Sequence, residues 1–438
     1  DMSSSVSSVD DLLSYGEYNA KKLLMASPVG ASFIHKLLQK IDACKYSTSF
    51  SGVDAPGSAL TVTAVQFADV LAAISGYRHP GPFHMHHAFS IEYCSASNEE
   101  LKAHPSAPVC MFGDITDFFV PRLRKEMAHY TRRGVKIPLQ SLLPVLKCGK
   151  AVDMKSCACL VHGPGGRDGS GNCKPEKADY HWAGIPCVSL SPAGRRDGTD
   201  GSCMVAWSAW GAMRCQLKEP VVLVECSDRL KPEVLDSILG HLYVITYDIL
   251  DPTRFGWVGR RPRFYAMLIL KDSLMTQYCD MTLMASFFSR QCDISWRDLM
   301  LSTDKEKEDE IKWALSRPTS ISKGKEVEEV LAMANPFLAT LTTFENGVLR
   351  DYQGVRPGGC YMLSQRPQFF NTSSDSDSPL HSITANPGLH WSDRDSRWLT
   401  KREVLLMQGF PVYSHLVSPK CIRSEPVHAC SFADDRYR

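Results

Sequence analysis

Cys187 is flanked by Pro186 and by the run Ser189-Leu190-Ser191-Pro192-Ala193-Gly194. That is the composition of a tight loop, since proline fixes φ and small residues tolerate sharp turns. Ile185, ahead of the proline, is held to extended backbone, so the chain is expected to leave a strand and turn at the cysteine. A thiol exposed on such a turn can act as a nucleophile, whereas a free cysteine elsewhere is more often a buried, inert hydrophobe. Three carboxyl groups accompany it. Glu92, Asp114 and Glu225 each follow a short apolar run, the position at which a strand delivers a side chain to the crevice at the carboxyl edge of a parallel sheet.

Strands and helices in alternation are needed to hold these groups. Phe33, Ile34, Leu37, Leu38 and Ile41 share one helical face with Lys36 and Lys40 off it, which predicts a packing helix ahead of the first strand. That strand, Tyr46 to Phe50, is weak, because Ser47, Thr48 and Ser49 replace the apolar run of a central parallel strand. Phe50-Ser51-Gly52-Val53-Asp54-Ala55-Pro56-Gly57 then leads into a helical pattern through Leu60, Ala64, Val65, Ala68, Leu71 and Ile74. Strand, glycine turn and helix N-terminus make a nucleotide-type site, where backbone N–H groups and the helix dipole converge. An ordinary strand-to-helix turn has the same pattern.

Ala88 to Glu92 and Met111 to Asp114 read as the second and third strands. A carboxylate ending the second can accept both hydroxyls of a ribose. Upstream, His79, His84, His86 and His87 read as a surface loop rather than a metal set. Pro80 and Pro82 break that segment and no cysteine or acid sits at ligand spacing. Val221 to Val224, Leu242 to Ile245 and Phe264 to Leu270 predict further strands.

With 438 residues the chain has material for two domains and a large core. Lys and Arg number 49 against 48 Asp and Glu, so any nucleic-acid surface must be a local patch. Sixteen cysteines in so long a chain, with no signal peptide opening it, read as reduced thiols of the cytosol or nucleus rather than a secreted disulfide scaffold. No apolar run is read as approaching the roughly 18–20 residues of a membrane span. Residues 1–10 are serine-rich and expected to be disordered. The first residue is Asp1, so the natural start is expected upstream.

Residues 121–180 separate the third strand from the cysteine loop and divide into two halves of different composition. The first half carries Arg122, Arg124, Lys125, Arg132, Arg133, Lys136, Lys147 and Lys150 against the single acid Glu126, a candidate phosphate-contacting patch. The second half holds Cys148, Cys157, Cys159, His162 and Cys173 around a glycine-rich loop, a set able to make a tetrahedral zinc site. Cys-x-Cys is poorer ligand spacing than Cys-x-x-Cys, so no metal is assigned, and Cys157, Cys159, His162 and Cys173 stand as zinc candidates.

Pro186-Cys187 with Ser189 and Ala193-Gly194-Arg195 resembles the catalytic loop of the cytosine-C5 DNA methyltransferases. Phe50-Ser51-Gly52 resembles the S-adenosylmethionine (SAM) loop of that family, and Glu92 and Gly113-Asp114-Ile115 its next two acidic positions. Glu225 falls 38 residues after the cysteine (225 − 187), where the family has Glu-Asn-Val. Arg261-Pro262-Arg263 resembles its Arg-x-Arg element, and Leu399-Thr400 to Gln408-Gly409-Phe410-Pro411 its closing helix. The resemblance runs from about residue 46 to 411.

It implies an α/β fold, a SAM-dependent methyltransferase Rossmann-like sheet with a smaller target-recognition domain. The implied division is an extension and packing helix over 1–45, a catalytic domain over 46–270 with the insertion 121–180, a target-recognition domain over 271–395, and a helix returning to the catalytic domain over 396–438. By the same resemblance Phe50, Gly52, Glu92, Asp114 and Pro186 hold SAM, and the substrate is double-stranded DNA, in the nucleus of a eukaryote or otherwise the cytoplasm. Cys187 adds to carbon 6 of a flipped-out cytosine, Glu225 holds a proton at ring N3, Arg261 clamps the base or backbone, and Arg263 supports it. A silent DNA- or partner-binding relative and a tRNA methyltransferase are the alternatives. The tRNA branch's Cys-Phe-Thr is absent here. Cys226 replaces the family's asparagine, Asp54 a usual glycine, and residues 412–438 contain no Gly-Asn.

Overall fold

The computed structural model describes residues 5–26, 30–50, 52, 54–76, 83, 85–104, 106–133, 139–147, 150–167, 169, 173–190, 201–273, 280–317, 319–368, 372–375, 378–383, 388–410 and 412–413. They form two compact units, one of residues 16–250 and 262–288, the other of residues 1–15, 251–261 and 289–438.

The first unit is built on a seven-stranded sheet. Its strands are β1 (Lys45–Ser49), β2 (His86–Ile91), β3 (Cys110–Phe112), β4 (Tyr180–Gly184), β5 (Val221–Ser227), β6 (Tyr243–Leu250) and β7 (Arg263–Leu270). Across the sheet they lie in the order β3-β2-β1-β4-β5-β7-β6. The first five run parallel and β7 is antiparallel to both its neighbours. This is the doubly wound arrangement of the α/β class, and its chain order reverses between β1 and β4. Ligands of such sheets bind at the carboxyl ends of the strands beside that reversal.

Helix α1 (Gly30–Asp42) precedes β1, and α2 (Ala55–Ser75), α3 (Ser95–Ala103), α4 (Pro121–Arg133), α5 (Leu139–Lys147), α6 (Cys203–Leu217) and α7 (Pro232–Leu239) lie in the connections between strands. Trp207 and Trp210 of α6 are fully buried with Phe89, Phe112, Phe118, Val222, Val224 and Leu268. Each tryptophan removes roughly 150–250 Å² from water, worth about 4–6 kcal/mol before ordering costs.

The polar residues of β1 do not weaken it, because Ser47, Thr48 and Ser49 are fully buried and the first two are satisfied by their neighbours. Ser47 Oγ lies 2.8 Å from His181 Nδ1, and Trp210 Nε1 donates to His181 Nε2 at 3.1 Å. The indole N–H occupies Nε2 as acceptor, so Nδ1 carries the proton and donates to Ser47. Burial holds this imidazole neutral, well below its usual pKa. Thr48 Oγ1 bonds His87 Nε2 at 3.1 Å and Ser90 Oγ at 3.0 Å. His87 therefore belongs to a buried network on β2 and not to a surface loop, and His86 opens the same strand. His79 and His84 lie outside the described residues.

Two other expectations change. Among the described residues one helix, Ala55–Ile74, is long and apolar enough to cross a membrane. It is the connection that follows β1, and its Ala64, Phe67, Val70 and Leu71 are buried within the unit. Near the N-terminus, Ser5–Val6 pairs in parallel with Gln291–Cys292, and Ser8 caps a helix over Val9–Leu13. Burial of Val6, Leu12 and Leu13 orders the chain over residues 5–13, and residues 1–4 lie outside the described residues.

In the second unit, α8 (Asp304–Ser316) and α9 (Thr343–Val355) accompany a four-stranded antiparallel sheet. Its strands β8 (Cys360–Met362), β9 (Ser373–Ser374), β10 (His390–Ser392) and β11 (Arg397–Trp398) lie in the order β9-β8-β10-β11. Thr400 and Glu403 form a capping box on α10 (Lys401–Leu406), and the Glu403 carboxylate takes two bonds from buried Arg397, at 2.8 and 2.9 Å. This closing helix groups with the second unit. Residues 1–15 and 251–261 do so as well, while 271–288 group with the first unit, so the compact units divide elsewhere than at 45, 270 and 395.

Candidate active site

The carboxyl ends of β1, β4 and β5 stand side by side. Phe50 follows β1 with φ of 57°, an unusual value for a residue with a side chain. Its N–H donates to Ile91 O at 2.9 Å. Its carbonyl turns toward β4, where a Cβ on Gly184 would stand 2.7 Å from the Phe50 oxygen and 3.7 Å from Glu225 Oε2. Only glycine fits that approach. Gly184 carried no chemical signal in the sequence, yet it sets the spacing of this edge.

Beyond Gly184, Ile185 N–H donates to Glu225 O at 3.0 Å, continuing the β4–β5 ladder into the Pro-Cys turn. Leu190 N–H closes the turn on Cys187 O at 2.8 Å, and Trp207 Nε1 of α6 donates to Pro186 O at 3.0 Å. The Cys187 loop is thus tied to β5 on one side and α6 on the other. Cys187 is half-buried. Burial and then the Glu225 charge push its thiol up, while the Arg263 charge pulls it down. Residues 191–200, including Arg195, lie outside the described residues.

Glu225 and Arg263 lie diagonally across the β5–β7 ladder, Glu225 opposite Tyr265 and Arg263 opposite Ser227, with Arg263 Nε 3.1 Å from Glu225 Oε1. Cys226 points the other way, into the core, where burial raises its thiol pKa. It cannot offer the hydrogen bonds of an asparagine amide. The structure brings Cys187, Glu225 and Arg263 together. Arg261 groups with the other compact unit, where its Nη1 donates to Ile383 O at 2.8 Å.

On the other side of β1, Glu92 follows β2 and is 9% exposed. Its Oε2 accepts Gly52 N–H and its Oε1 accepts Cys94 N–H, both at 3.0 Å. Burial raises its pKa, and these two N–H donors oppose the rise. Gly52 has φ of 63°, and a Cβ there, or on Gly113 after β3, would meet nothing within 4 Å. Asp114 caps the short turn over Ile115–Phe118, with Oδ1 accepting from Thr116 N and Oγ1, both at 2.8 Å. Asp54, which stands for a usual glycine, is fully buried at the N-terminus of α2 and accepts from Tyr46 Oη at 2.6 Å and Gly57 N at 3.1 Å.

The basic insertion and the zinc candidates change in detail. Arg124 spends its guanidinium on the backbone oxygens of Asp117 and Phe119. Arg122, Lys125 and Lys150 are exposed. The side chains of Arg132, Arg133 and Lys147, and all of Lys136, lie outside the described residues. Cys159, His162 and Cys173 converge, but their fourth partner is Cys110 of β3. Cys157 instead packs in the main core and directs its Sγ to the Ala158 carbonyl at 3.7 Å, so it leaves the zinc set. Cys148 lies outside the described residues.

No family model matches the chain, and no curated protein matches it. Solved structures do. A prophage-encoded protein from E. coli, described as a DNA modification methyltransferase, is 11% identical over 89% of this chain and 97% of its own, with a TM-score of 0.44. The Dnmt2 methyltransferase of S. pombe is 12% identical over 89% and 96%, with a TM-score of 0.38. The Entamoeba histolytica methyltransferase EhMeth is 10% identical over 62% and 66%, with a TM-score of 0.32. With identities and scores this low, the fold class stands on the strand order itself.

Proposed function

We propose that this chain is a SAM-dependent methyltransferase that modifies carbon 5 of cytosine in double-stranded DNA through a covalent bond to Cys187. The observation that carries the reading is the meeting of a half-buried thiol, a carboxylate and a guanidinium where the chain order of the sheet reverses. A nucleophile, a proton holder and a cation are the groups that addition to an electron-poor ring requires.

The other half of that edge suits SAM. Gly52 and Gly113 leave open space, and Glu92 keeps lone pairs beyond its two backbone bonds for a pair of ribose hydroxyls. Asp114 Oδ2 is the oxygen left for an adenine amino group, since Oδ1 serves Thr116. When bound, SAM supplies an electrophilic methyl group for carbon 5.

The residues of the chain do the rest. The target base must leave the duplex stack to reach this edge. Cys187 Sγ adds to carbon 6, and because burial and the Glu225 charge raise the thiol, its S–H proton passes to solvent water as the sulfur–carbon bond forms. Glu225 holds a proton against ring N3, which lets the ring accept the electron pair. Protonated, it no longer carries the charge that raises the Cys187 thiol, so one proton serves both partners. Arg263 keeps the carboxyl group in place. Loss of the carbon-5 proton and expulsion of the sulfur restore the ring.

DNA containing 5-fluorocytosine tests this reading, because fluorine cannot leave as a cation and the adduct is stranded. With SAM present, a complex that survives denaturing electrophoresis and maps to Cys187 is expected, and Cys187→Ser abolishes it. A chain that binds SAM and DNA yet forms no adduct would be a binding-only relative. An adduct on tRNA and not on DNA would move the substrate to RNA.

A further inference from the structure

We propose that Cys110, Cys159, His162 and Cys173 form a closed structural zinc site that staples the insertion to the edge of the main sheet. His162 Nδ1 lies 3.7 Å from Cys110 Sγ and 3.4 Å from both Cys159 Sγ and Cys173 Sγ. All four ligand atoms lie within 4.8 Å of one another. Tetrahedral zinc takes sulfur at about 2.3 Å and nitrogen at about 2.0–2.1 Å, which sets the sulfur-to-nitrogen edge at roughly 3.6 Å. The three sulfur-to-nitrogen distances therefore already match the edges of a tetrahedral zinc shell. A hydrogen-bond reading does not account for it. Nδ1 carries at most one proton, so three sulfurs cannot all be served by it. Three thiols around one ring nitrogen make a coordination pattern.

Local structure supports the set. Cys159 and His162 are separated by two residues, a gap short enough for one tight turn to present both side chains to an ion, and the turn is closed by Gly163 N–H donating to Cys159 O at 2.8 Å. Gly163 has φ of 67°, a conformation that side chains disfavour.

Cys110 comes from β3, the edge strand of the sheet. Leu160 N–H donates to Met111 O at 2.7 Å, so the loop also pairs with that edge. The ion would lock this cover in place beside Gly113 and Asp114, at the end of β3. It protects the exposed edge from pairing with another chain. Four protein ligands leave no open position, so the role is structural and not catalytic. The required valence is one Zn²⁺ with three thiolates and a neutral imidazole, three protons being released on binding.

Elemental analysis of the purified full-length chain should find about one zinc per molecule. X-ray absorption should show three sulfurs near ~2.3 Å and one nitrogen near ~2.0–2.1 Å. Cys110→Ser and Cys173→Ser should each lose the metal, while Cys157→Ser keeps it. Chelation should open Cys110, Cys159 and Cys173 to alkylation, read by peptide mapping. The wild-type absorption and mapping decide the matter even if the Cys110 variant does not fold. A chain that is metal-free as purified and takes up no zinc salt under reducing conditions would overturn the proposal. So would a shell other than three sulfurs and one nitrogen, or retention of zinc by Cys110→Ser with loss by Cys157→Ser.

Discussion

Gly184 and Phe50 approach so closely that a Cβ on the glycine would stand 2.7 Å from the Phe50 carbonyl oxygen. The contact joins the two strands between which the chain order reverses, and the same Cβ would lie 3.7 Å from Glu225 Oε2. One hydrogen atom thus separates the turn proposed to hold SAM from the carboxyl group proposed to act on the base.

Gly184→Ala should therefore disturb both halves of the site. The obstacle is a backbone oxygen and not the end of a flexible side chain, so β1 and β4 must part. Overpacking of this kind costs about 1–3 kcal/mol of stability. Displacement of Phe50 and Gly52 should also weaken SAM by about tenfold, or ~1.4 kcal/mol. Calorimetric titration of SAM into the folded variant checks this. Unchanged affinity would separate the turn from the cofactor.

The Cys187 thiol should respond to the charges of Glu225 and Arg263. Burial and then the Glu225 charge raise the thiol, and Arg263 lowers it. Glu225→Gln should move the pH midpoint of Cys187 alkylation down, and Arg263→Gln should move it up. Peptide mapping after brief iodoacetamide treatment isolates this thiol from the other cysteines. Shifts of the same sign in both variants would contradict the geometry.

Asp54 and His87 test the polar interior beneath β1. Their side chains are fully buried, with His87 Nδ1 3.5 Å from Asp54 Oδ2. Burial raises the Asp54 carboxyl to about 6 and lowers the His87 imidazole to about 3. For His87 the folded pKa lies below the unfolded one, so its contribution is complete above pH ~6.5 and is lost as the pH falls toward ~3. For Asp54 the folded pKa lies above the unfolded one, so the ionised form is penalised above pH ~6 and the penalty disappears toward pH ~4. Between these limits the two slopes nearly cancel. His87→Gln should leave the Asp54 slope alone. Its urea stability should then gain about 2.5 kcal/mol relative to wild type when the pH drops from ~7 to ~4.5. Parallel pH profiles for the two proteins would show that His87 does not titrate this way.

Much of the sheet edge that carries Cys187 and Glu225 was legible because its signals are local. Val221 to Val224 form a continuous apolar strand that ends on Glu225, and Pro186-Cys187 breaks β4 where a turn is required. What escaped depends on register. Ser47 and Thr48 read as a weak strand because their partners, His181 on β4 and His87 and Ser90 on β2, are 39 to 134 residues away along the chain. Cys110 escaped the zinc set for the same reason, since only strand order puts β3 beside the loop. The compact units follow a path no local signal marks, since residues 251–261 leave the first unit and the chain re-enters it at Pro262.

Glu92 provides the sharpest test of the cofactor. Its carboxylate is buried and held by Gly52 N–H and Cys94 N–H, each at 3.0 Å. Burial is the largest influence on its proton and raises its pKa above the ordinary 4.5, the backbone donors opposing it. A raised carboxyl pKa means that the ionised form is penalised in the folded chain, a penalty removed as the pH falls through the folded value. Ribose hydroxyls are donors to the ionised form, so SAM affinity should fall over that same acidic range. Glu92→Gln should weaken SAM by about 1.5–3 kcal/mol, the worth of a hydrogen bond to a charged group. An amide also turns two hydrogens toward N–H donors, so the Gly52 turn loses one of its anchors. The variant should bind SAM weakly and with no acid limb, whereas the wild type shows that limb. If Glu92→Gln binds SAM as tightly as the wild type across the range, Glu92 only ties down the turn, and the ribose contact must come from elsewhere.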